Sequence, residues 1–404
     1  MTENVAILSL HTSPLSQPGI GDSGGMNVYV REMAAALAHS ASECRVYVRR
    51  GQKGLPDEVA IEPGVTVVHV DAGPADLDKE DLIDVVDEFA DGIMADIRRH
   101  GAPDIIHANY WLSGVAGHRV KHVIGAPLAV TFHTLARVKA ATGDPESEHR
   151  AQAETDVIGC ADAVIASCEP EAQQLREFYD APSERIELAP PGVEHALFSP
   201  GDRDGARSAL GLNSGPVLLF VGRIQPLKRP LVAVETLARL EREDARLLVV
   251  GGPSGAEGEV ELQRLKDRVQ SLGLSEQVSL VPPRPHHWLS TYYRAADVVL
   301  VPSRSESFGL VALEAAASGT PVVAAPVGGL RSIVDHGRTG FLVDDPTPEA
   351  FAAQVAALID NPLLSAEMAM DAAERARTFS WAAMAHSLQT TYRRVQSRVL
   401  VDCT

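Results

Sequence analysis

Long apolar runs are missing from this chain of 404 residues. None approaches the roughly 20 consecutive residues that a bilayer-spanning helix needs, so no membrane partner is expected. Positive charge is also scarce: 36 Lys and Arg stand against 54 Asp and Glu, a net charge of −18 at pH 7. Such a field repels phosphate backbones and excludes nucleic acid as a partner. Cysteine is sparse, with Cys44, Cys160, Cys168 and Cys403 scattered and no CxxC spacing, so reduced thiols are expected. The first residues, MTENVAILSLHTSP, carry no basic leader and an apolar run of about seven residues. They read as a first strand in a cytoplasmic protein.

What is present is the composition of a globular protein, 45% apolar and 22% charged. The length exceeds what one core usually organises, so two domains are expected. Short apolar runs alternate with amphipathic stretches: NVAILSL then MNVYVREMAAALA, DIIHA then SGVAGHRVKHV, PLAVTFH, and DAVIASC then PEAQQLREFY. Near 190–215 the chain becomes loop-like (APPGVEHALFSPGDRDG), and the alternation restarts through PVLLFVGR, RLLVVGG, QVSLV, VVLVPS and PVVAAP. Continuous apolar strands with helices between them predict an α/β protein of two Rossmann-like doubly wound domains, 1–200 and 201–379. A final helix, within about 380–404, is expected to pack back on the first domain, and a ligand cleft is expected between the two.

The string SESFGLVALEAAASGTPVVAAPVGGL carries the strongest chemical signal. Glu306 falls in a loop after a strand, Ser307-Phe308-Gly309-Leu310 reads as a helix start, and Glu314 falls in that helix's second turn. Free N–H groups at a helix start favour a phosphate. The two carboxylates would repel one, so hydroxyls suit them better: sugar hydroxyls for Glu306 and a ribose diol for Glu314. Upstream, FVGRIQPLKRP places Arg223 and Lys228 in a short loop after a strand. Two cations there can stabilise a departing diphosphate. Either pair alone could be a solvated surface pair; facing one pocket they become functional.

In the first half, Tyr110 and His133 end the apolar runs of HANYWLSG and AVTFHTLARVKA. A lone strand-end His is more often structural, and single helical cations are usually solvated. The stretch GDSGGMNVYVREMAAALA, residues 21–38, sets a glycine pair before a helix. It lacks cations, so its glycines read as a close backbone approach, with Asp22 and Asn27 adding polar contacts.

With these residues in view, the chain resembles the retaining nucleotide-sugar glycosyltransferases of family 4, which have the two-domain GT-B architecture. The resemblance rests on ESFGLVALEA, VGRIQPLK, HTSPLSQPGIGDSGGMNVY, AGPADLDKEDL, YWLSG, HTLARVK, DPESE, GGPSG and YRAADVV, which run nearly from end to end. It implies transfer of N-acetylglucosamine from UDP-N-acetylglucosamine to 1L-myo-inositol 1-phosphate with retention of configuration. Catalytic roles are implied for His133, Arg223, Lys228 and Glu306. Donor binding is implied for Gln17, Pro18, Gly25, Arg223, Lys228, Arg284, Glu306, Ser307, Phe308, Gly309, Leu310 and Glu314. Acceptor binding is implied for His11, Asp22, Ser23, Gly24, Gly25, Met26, Asn27, Lys79, Tyr110, Thr134 and Arg150, with Lys79, Tyr110, Thr134 and Arg150 on the inositol phosphate. No cofactor is expected in the chemistry; a structural Mg2+ is implied near Tyr293, Arg294, Ala296 and Thr320. The assembly expected is a chain or homodimer that meets a nucleotide sugar and a small phosphorylated polyol.

The family pattern is departed from at Ser303-Arg304-Ser305, before Glu306, and at Ala108-Asn109, before Tyr110. No Asp or Glu is evidently placed as a nucleophile, which favours front-face substitution over a covalent intermediate. The rival enzyme reading uses another UDP- or GDP-linked sugar with a thiol, aminocyclitol or sugar-phosphate acceptor. A binding protein with a degenerate site is disfavoured by the retained Glu306, Glu314, Arg223 and Lys228. An oxidoreductase is disfavoured by the lack of G-x-G-x-x-G after a strand.

Overall fold

The computed structural model describes residues 3–403 except Ile20, Asp22, Pro145 and Ala256. The chain divides into two compact units. The first holds residues up to Ser16, Met26–Pro190 and Trp381 onward; the second holds Gln17–Gly25 and Pro191–Ser380.

Among the described residues, eight strands build the first unit's sheet: β1 (Glu3–Leu8), β2 (Ser42–Arg49), β3 (Glu58–Glu62), β4 (Val65–Val70), β5 (Ile105–Asn109), β6 (Leu128–Thr131), β7 (Ala163–Ala166) and β8 (Ile186–Leu188). Their order is β3-β4-β2-β1-β5-β6-β7-β8. All pairs are parallel except β3 with β4. The apolar runs read as strands are β1, β5, β6 and β7, each buried on both faces by helices, as a parallel sheet requires. Strands β2, β3, β4 and β8 carry no such run: β2 (SECRVYVR) interleaves polar residues, and β3 is a partly exposed edge.

The second unit has six strands among the described residues: β9 (Val217–Val221), β10 (Arg246–Val250), β11 (Val278–Val281), β12 (Val298–Val301), β13 (Val322–Ala324) and β14 (Gly340–Leu342). They are all parallel, in the order β11-β10-β9-β12-β13-β14. This is the Rossmann order 3-2-1-4-5-6. In each sheet the order reverses beside the unit's first strand, between β1 and β5 and between β9 and β12. Ligands of open α/β sheets bind outside the strand carboxyl ends at these switch points.

Three expectations are corrected. Residues 17–25 pack with the second unit, and the boundary falls at Pro190, before the expected Pro200, because the Leu197 and Ser199 carbonyls accept from Arg294 at 2.8 Å each, ahead of helix Arg203–Ala209. Arg207 Nη2 there donates to Asp297 Oδ2 at 2.6 Å and Nε to the Ala295 carbonyl at 2.9 Å. The helix after Glu306 begins at Leu310, leaving Ser307 and Phe308 in the loop. Gly309, at φ 104°, lies outside helical geometry and serves as the cap. Cys160 and Cys403 are joined as a disulfide, whereas Cys44 and Cys168 are free and buried. The last helix, Trp381–Gln396, lies in the first unit and buries Trp381, Met384, Leu388 and Tyr392 against its core.

Candidate active site

At the first switch point, β1 leads into His11 and β5 into Tyr110, and the two rings meet tilted by 43°, with centroids 4.3 Å apart. Tyr110 adopts φ 76°, ψ 156°, a region costing a non-glycine residue about 1–3 kcal/mol and held only by its surroundings. Its N–H donates to the Thr131 carbonyl at 2.8 Å, and its carbonyl accepts from Gly114 N–H at 2.9 Å, fixing the turn into helix Trp111–Ile124. Two cations face this ring: Lys79 Nζ lies 5.7 Å and the Arg150 guanidinium 5.0 Å from its centroid. Burial pushes the Tyr110 phenol up against the pull of Arg150, so it stays a neutral donor.

Arg150 is itself buried, on helix Glu148–Cys160. Nε donates to Glu154 Oε1 at 2.8 Å, Nη1 pairs with Glu146 at 2.9 Å, and Nη2 donates to the Thr134 carbonyl and hydroxyl at 3.0 Å each. Burial works against its charge, yet Tyr110, Glu154 and Glu146 hold its pKa above the usual value. Thr134 thus reaches the cluster through Arg150. Met26 packs on the core, and Asn27 Nδ2 donates to Thr12 Oγ1 and the Ser13 carbonyl at 2.6 Å each, tying helix Gly25–His39 to the loop after β1.

His133 follows β6 in a three-residue turn closed by Thr134 N–H on the Phe132 carbonyl at 2.7 Å, with His133 at φ 62°. Asn109 Nδ2 reaches the His107 carbonyl at 3.5 Å, which turns its Oδ1 to accept from His133 Nε2 at 2.9 Å. Asn109, one of the departures from the family pattern, keeps this residue oriented; sequence reasoning missed the role because the two lie on different strands.

Burial pushes His133 down to about 3, with His107 a secondary cause, and pushes His107 itself down to about 3. An unfolded histidine titrates near pH 6.5. The unfolded chain therefore binds more protons than the folded one between those values. Stability from the two is complete above about pH 6.5 and is lost as pH falls toward about 3. Buried Glu171, pushed up to about 7, acts oppositely: its contribution is present below its unfolded value and fades as pH rises through about 7. Melting between about pH 7 and about pH 5 should depend less on pH in His107→Gln than in the parent; equal slopes would contradict the assignment.

At the second switch point, β9 leads into Arg223 and Lys228, and β12 into Glu306. Lys228 Nζ donates to Glu306 Oε2 at 2.5 Å across the reversal, and Arg304 N–H donates to the Leu227 carbonyl at 2.9 Å. The second departure, Arg304, thus joins the two loops through its backbone. Arg223 Nη1 lies 3.4 Å from Ser254 Oγ. Among the described residues, the buried Nε of Arg284 has no hydrogen-bond partner.

Glu314 is buried, accepting from Tyr293 hydroxyl at 2.7 Å on Oε2 and pairing with His286 Nε2 at 2.6 Å on Oε1. Each carboxylate oxygen keeps a second lone pair for a hydroxyl. Neither His286 nor the Tyr293 hydroxyl was legible as a partner. Phe308 packs edge-to-face on Phe379, with centroids 5.8 Å apart. The Glu306 and Ser307 carbonyls both accept from Gly329 N–H at 3.2 Å. A Cβ at Gly329 would come within 2.3 Å of the Phe308 backbone. Gly329→Ala should therefore displace the Glu306–Phe308 loop and raise the donor KM at least tenfold with the acceptor KM unchanged, about 1.4 kcal/mol of lost binding. Steady-state kinetics on both substrates checks it.

The 17–25 segment lies on this unit. Gln17 Nε2 reaches the Pro283 carbonyl at 3.4 Å, Pro18 is half-buried, and the Ser23 carbonyl accepts from Gly19 N–H at 2.7 Å. A Cβ at Gly24 would approach Arg223 Nε to 3.2 Å, and one at Gly25 would touch Leu310 at 3.6 Å. Gly24, expected among acceptor contacts, thus packs beside Arg223, an expected donor cation; Asp22 lies outside the described residues. At the implied Mg2+ set, Thr320 Oγ1 donates to the Tyr293 carbonyl at 2.7 Å, and Ala296 N–H donates to the Tyr292 carbonyl at 3.2 Å. The Arg294 guanidinium is bound to the Ser199 and Leu197 carbonyls at 2.8 Å each. Carbonyl and hydroxyl oxygens suit Mg2+ in kind.

Residues 202–379 match the family model described as glycosyl transferases group 1, and residues 24–192 match the glycosyl transferase 4-like domain. A D-inositol 3-phosphate glycosyltransferase from Thermobispora bispora is 45% identical, aligning 98% of this chain with 95% of that protein. The chain belongs to the group 1 glycosyltransferases. A protein of the same name from Rhodococcus erythropolis is 44% identical over 96% of this glycosyltransferase and 91% of its own length. Among solved structures, sucrose-phosphate synthase from Thermosynechococcus elongatus superposes with a TM-score of 0.91 at 31% identity, covering 97% of this chain and 98% of that one. Anabaena HepE in complex with UDP-glucose shares the fold, with a TM-score of 0.78 at 19% identity over 97% and 99% of the two chains. The glycosyltransferase has the two parallel-sheet α/β units of the GT-B fold. No described helix is long and apolar enough to cross a membrane.

Proposed function

We propose that this glycosyltransferase moves N-acetylglucosamine from UDP-N-acetylglucosamine to 1L-myo-inositol 1-phosphate (1D-myo-inositol 3-phosphate) with retention, the first step of mycothiol biosynthesis, in the cytoplasm. The observation that carries the acceptor class is the convergence of Lys79 and Arg150 on Tyr110 beside His11. In a chain of net charge −18, two local cations facing one ring favour a small phosphorylated molecule. Relatives of nearly full-length coverage bear the name D-inositol 3-phosphate glycosyltransferase, which supports the acceptor and the transfer.

In this reading Arg223, Lys228 and the N–H groups after Gly309 take the diphosphate. Glu306 and Glu314 accept hydroxyls, and His133 holds the sugar. Departure of the diphosphate breaks the anomeric C–O bond. The acceptor hydroxyl attacks the same face of the resulting oxocarbenium-like sugar, and its proton passes to a departing phosphate oxygen. Lys228 and Arg223 stabilise the charge that develops, which is the term worth most to the barrier. A Mg2+ at the Tyr293 and Thr320 oxygens would be structural, with no step assigned to it.

The sucrose-phosphate synthase likeness favours a second reading, a sugar phosphate as acceptor. An acceptor panel read by mass spectrometry separates the two. Inositol phosphate should give the product, with free inositol and hexose phosphates at least about a hundredfold poorer in kcat/KM, roughly 2.7 kcal/mol of discrimination. A hexose phosphate preferred over inositol phosphate would sink the proposal.

A further inference from the structure

Away from both switch points, four soft ligand atoms of the first unit converge on one spot. His118 and His122 stand one turn apart on helix Trp111–Ile124, Cys160 ends helix Glu148–Cys160, and Cys403 lies in the tail after Gln396. One atom from each lies within 4.8 Å of every other. His122 Nε2 is 3.1 Å from Cys403 Sγ and 3.3 Å from Cys160 Sγ, and His118 Nε2 is 3.5 Å from Cys403 Sγ. Two histidines spaced i, i+4 are ordinarily a solvated helix face. What sets this pair apart is that cysteines 243 residues apart in sequence are brought to it.

A built framework does the bringing. Asp162 accepts from Val401 N–H on Oδ1 at 2.8 Å, anchoring the tail two residues before Cys403, and from Leu128 N–H on Oδ2 at 2.8 Å. The same carboxylate pairs with buried Lys121 at 2.8 Å, and Lys121 Nζ donates to the Cys160 carbonyl at 2.7 Å. One ion pair thus fixes both cysteine backbones beside the two imidazoles.

We propose that, with its cysteines reduced, the protein binds one zinc-type divalent cation through His118, His122, Cys160 and Cys403. A tetrahedral zinc centre, with bonds of about 2.0–2.1 Å to nitrogen and about 2.3 Å to sulfur, separates its ligand atoms by roughly 3.3–3.8 Å. The nitrogen-to-sulfur distances here already fall close to that span. Thiolate and imidazole ligands select zinc over the hard cations Mg2+ and Ca2+. Four protein ligands leave no open position, so the site is structural: it staples the C-terminal tail to the two helices.

The disulfide and the metal are alternative closures of this corner. A dithiol reductant converts the Cys160–Cys403 bond to two thiols and itself becomes a disulfide; zinc then displaces the two thiol protons to solvent. The tail is held in either state, by a covalent bond or by the cation.

The test uses the full chain, treated with a dithiol, freed of it and titrated with zinc or cobalt. Expected are one metal per chain by elemental analysis and, for cobalt, the thiolate charge-transfer and tetrahedral d–d absorption of a two-sulfur site. Oxidation to the disulfide should release the metal. Cys403→Ser and His122→Ala should each weaken affinity by more than the ~10–100-fold typical of losing an outer-shell partner, with circular dichroism unchanged. Substoichiometric metal in reduced, natively folded protein would overturn the proposal. So would wild-type affinity in either variant, or a cobalt spectrum without thiolate bands.

Discussion

Lys228→Ala lowers kcat by about two to three orders of magnitude, the loss typical of removing one strong charge-stabilising donor. The structure adds a second reason for a large effect. Lys228 Nζ and Glu306 Oε2 are paired at 2.5 Å, so the substitution removes a cation and exposes an anion beside the proposed diphosphate site. Donor affinity should fall together with turnover. The double variant Lys228→Ala/Glu306→Gln separates the two effects: it should regain part of the donor affinity, because the unpaired carboxylate is gone, while turnover stays low. Steady-state kinetics on both variants checks this; wild-type kcat in Lys228→Ala would remove Lys228 from the mechanism.

Arg150→Ala combines a stability effect with a binding effect. Its guanidinium is buried against Glu154, which is fully buried and also accepts from Ala136 N–H and the Tyr179 hydroxyl. Removing one partner of such a pair leaves a charge stranded, at about 3–5 kcal/mol. The melting temperature should drop and saturation by inositol phosphate should be lost. Adding Glu154→Gln removes the stranded charge, so Arg150→Ala/Glu154→Gln should regain much of the melting temperature without regaining acceptor binding. If acceptor KM recovers along with stability, Arg150 supports the fold and does not hold the phosphate.

The loops proposed to carry the chemistry rest on local patterns: a strand end, a cation pair and a glycine-framed Glu string can be read in order along the chain. The second sheet's parallel, doubly wound character was legible in uninterrupted strands such as VLLFV and VVLV, whereas its strand order was not. The first sheet was only half legible, since Arg45 in β2 and Thr66 and His69 in β4 interrupt the apolar residues, and both strands take their place through partners distant in sequence. Side-chain pairings across strands were not legible either. Nothing local predicts that Asn109 orients His133, that Tyr293 and His286 hold Glu314, or that Tyr110 is kept in a glycine-like conformation. The 17–25 loop reads as part of the first domain by position, yet its small residues fit against Arg223, Gly252 and Pro283 of the second unit. The pairing of Cys160 with Cys403 depends on Asp162 holding the tail, which no spacing rule contains.

The central claim is tested most directly by NMR of the product formed from UDP-N-acetylglucosamine and 1L-myo-inositol 1-phosphate. The account predicts a single α-linked N-acetylglucosaminyl inositol phosphate, the anomeric configuration of the donor retained, with UDP released in equal amount. A β-linked product, or no transfer to inositol phosphate while another acceptor is glycosylated, would contradict it.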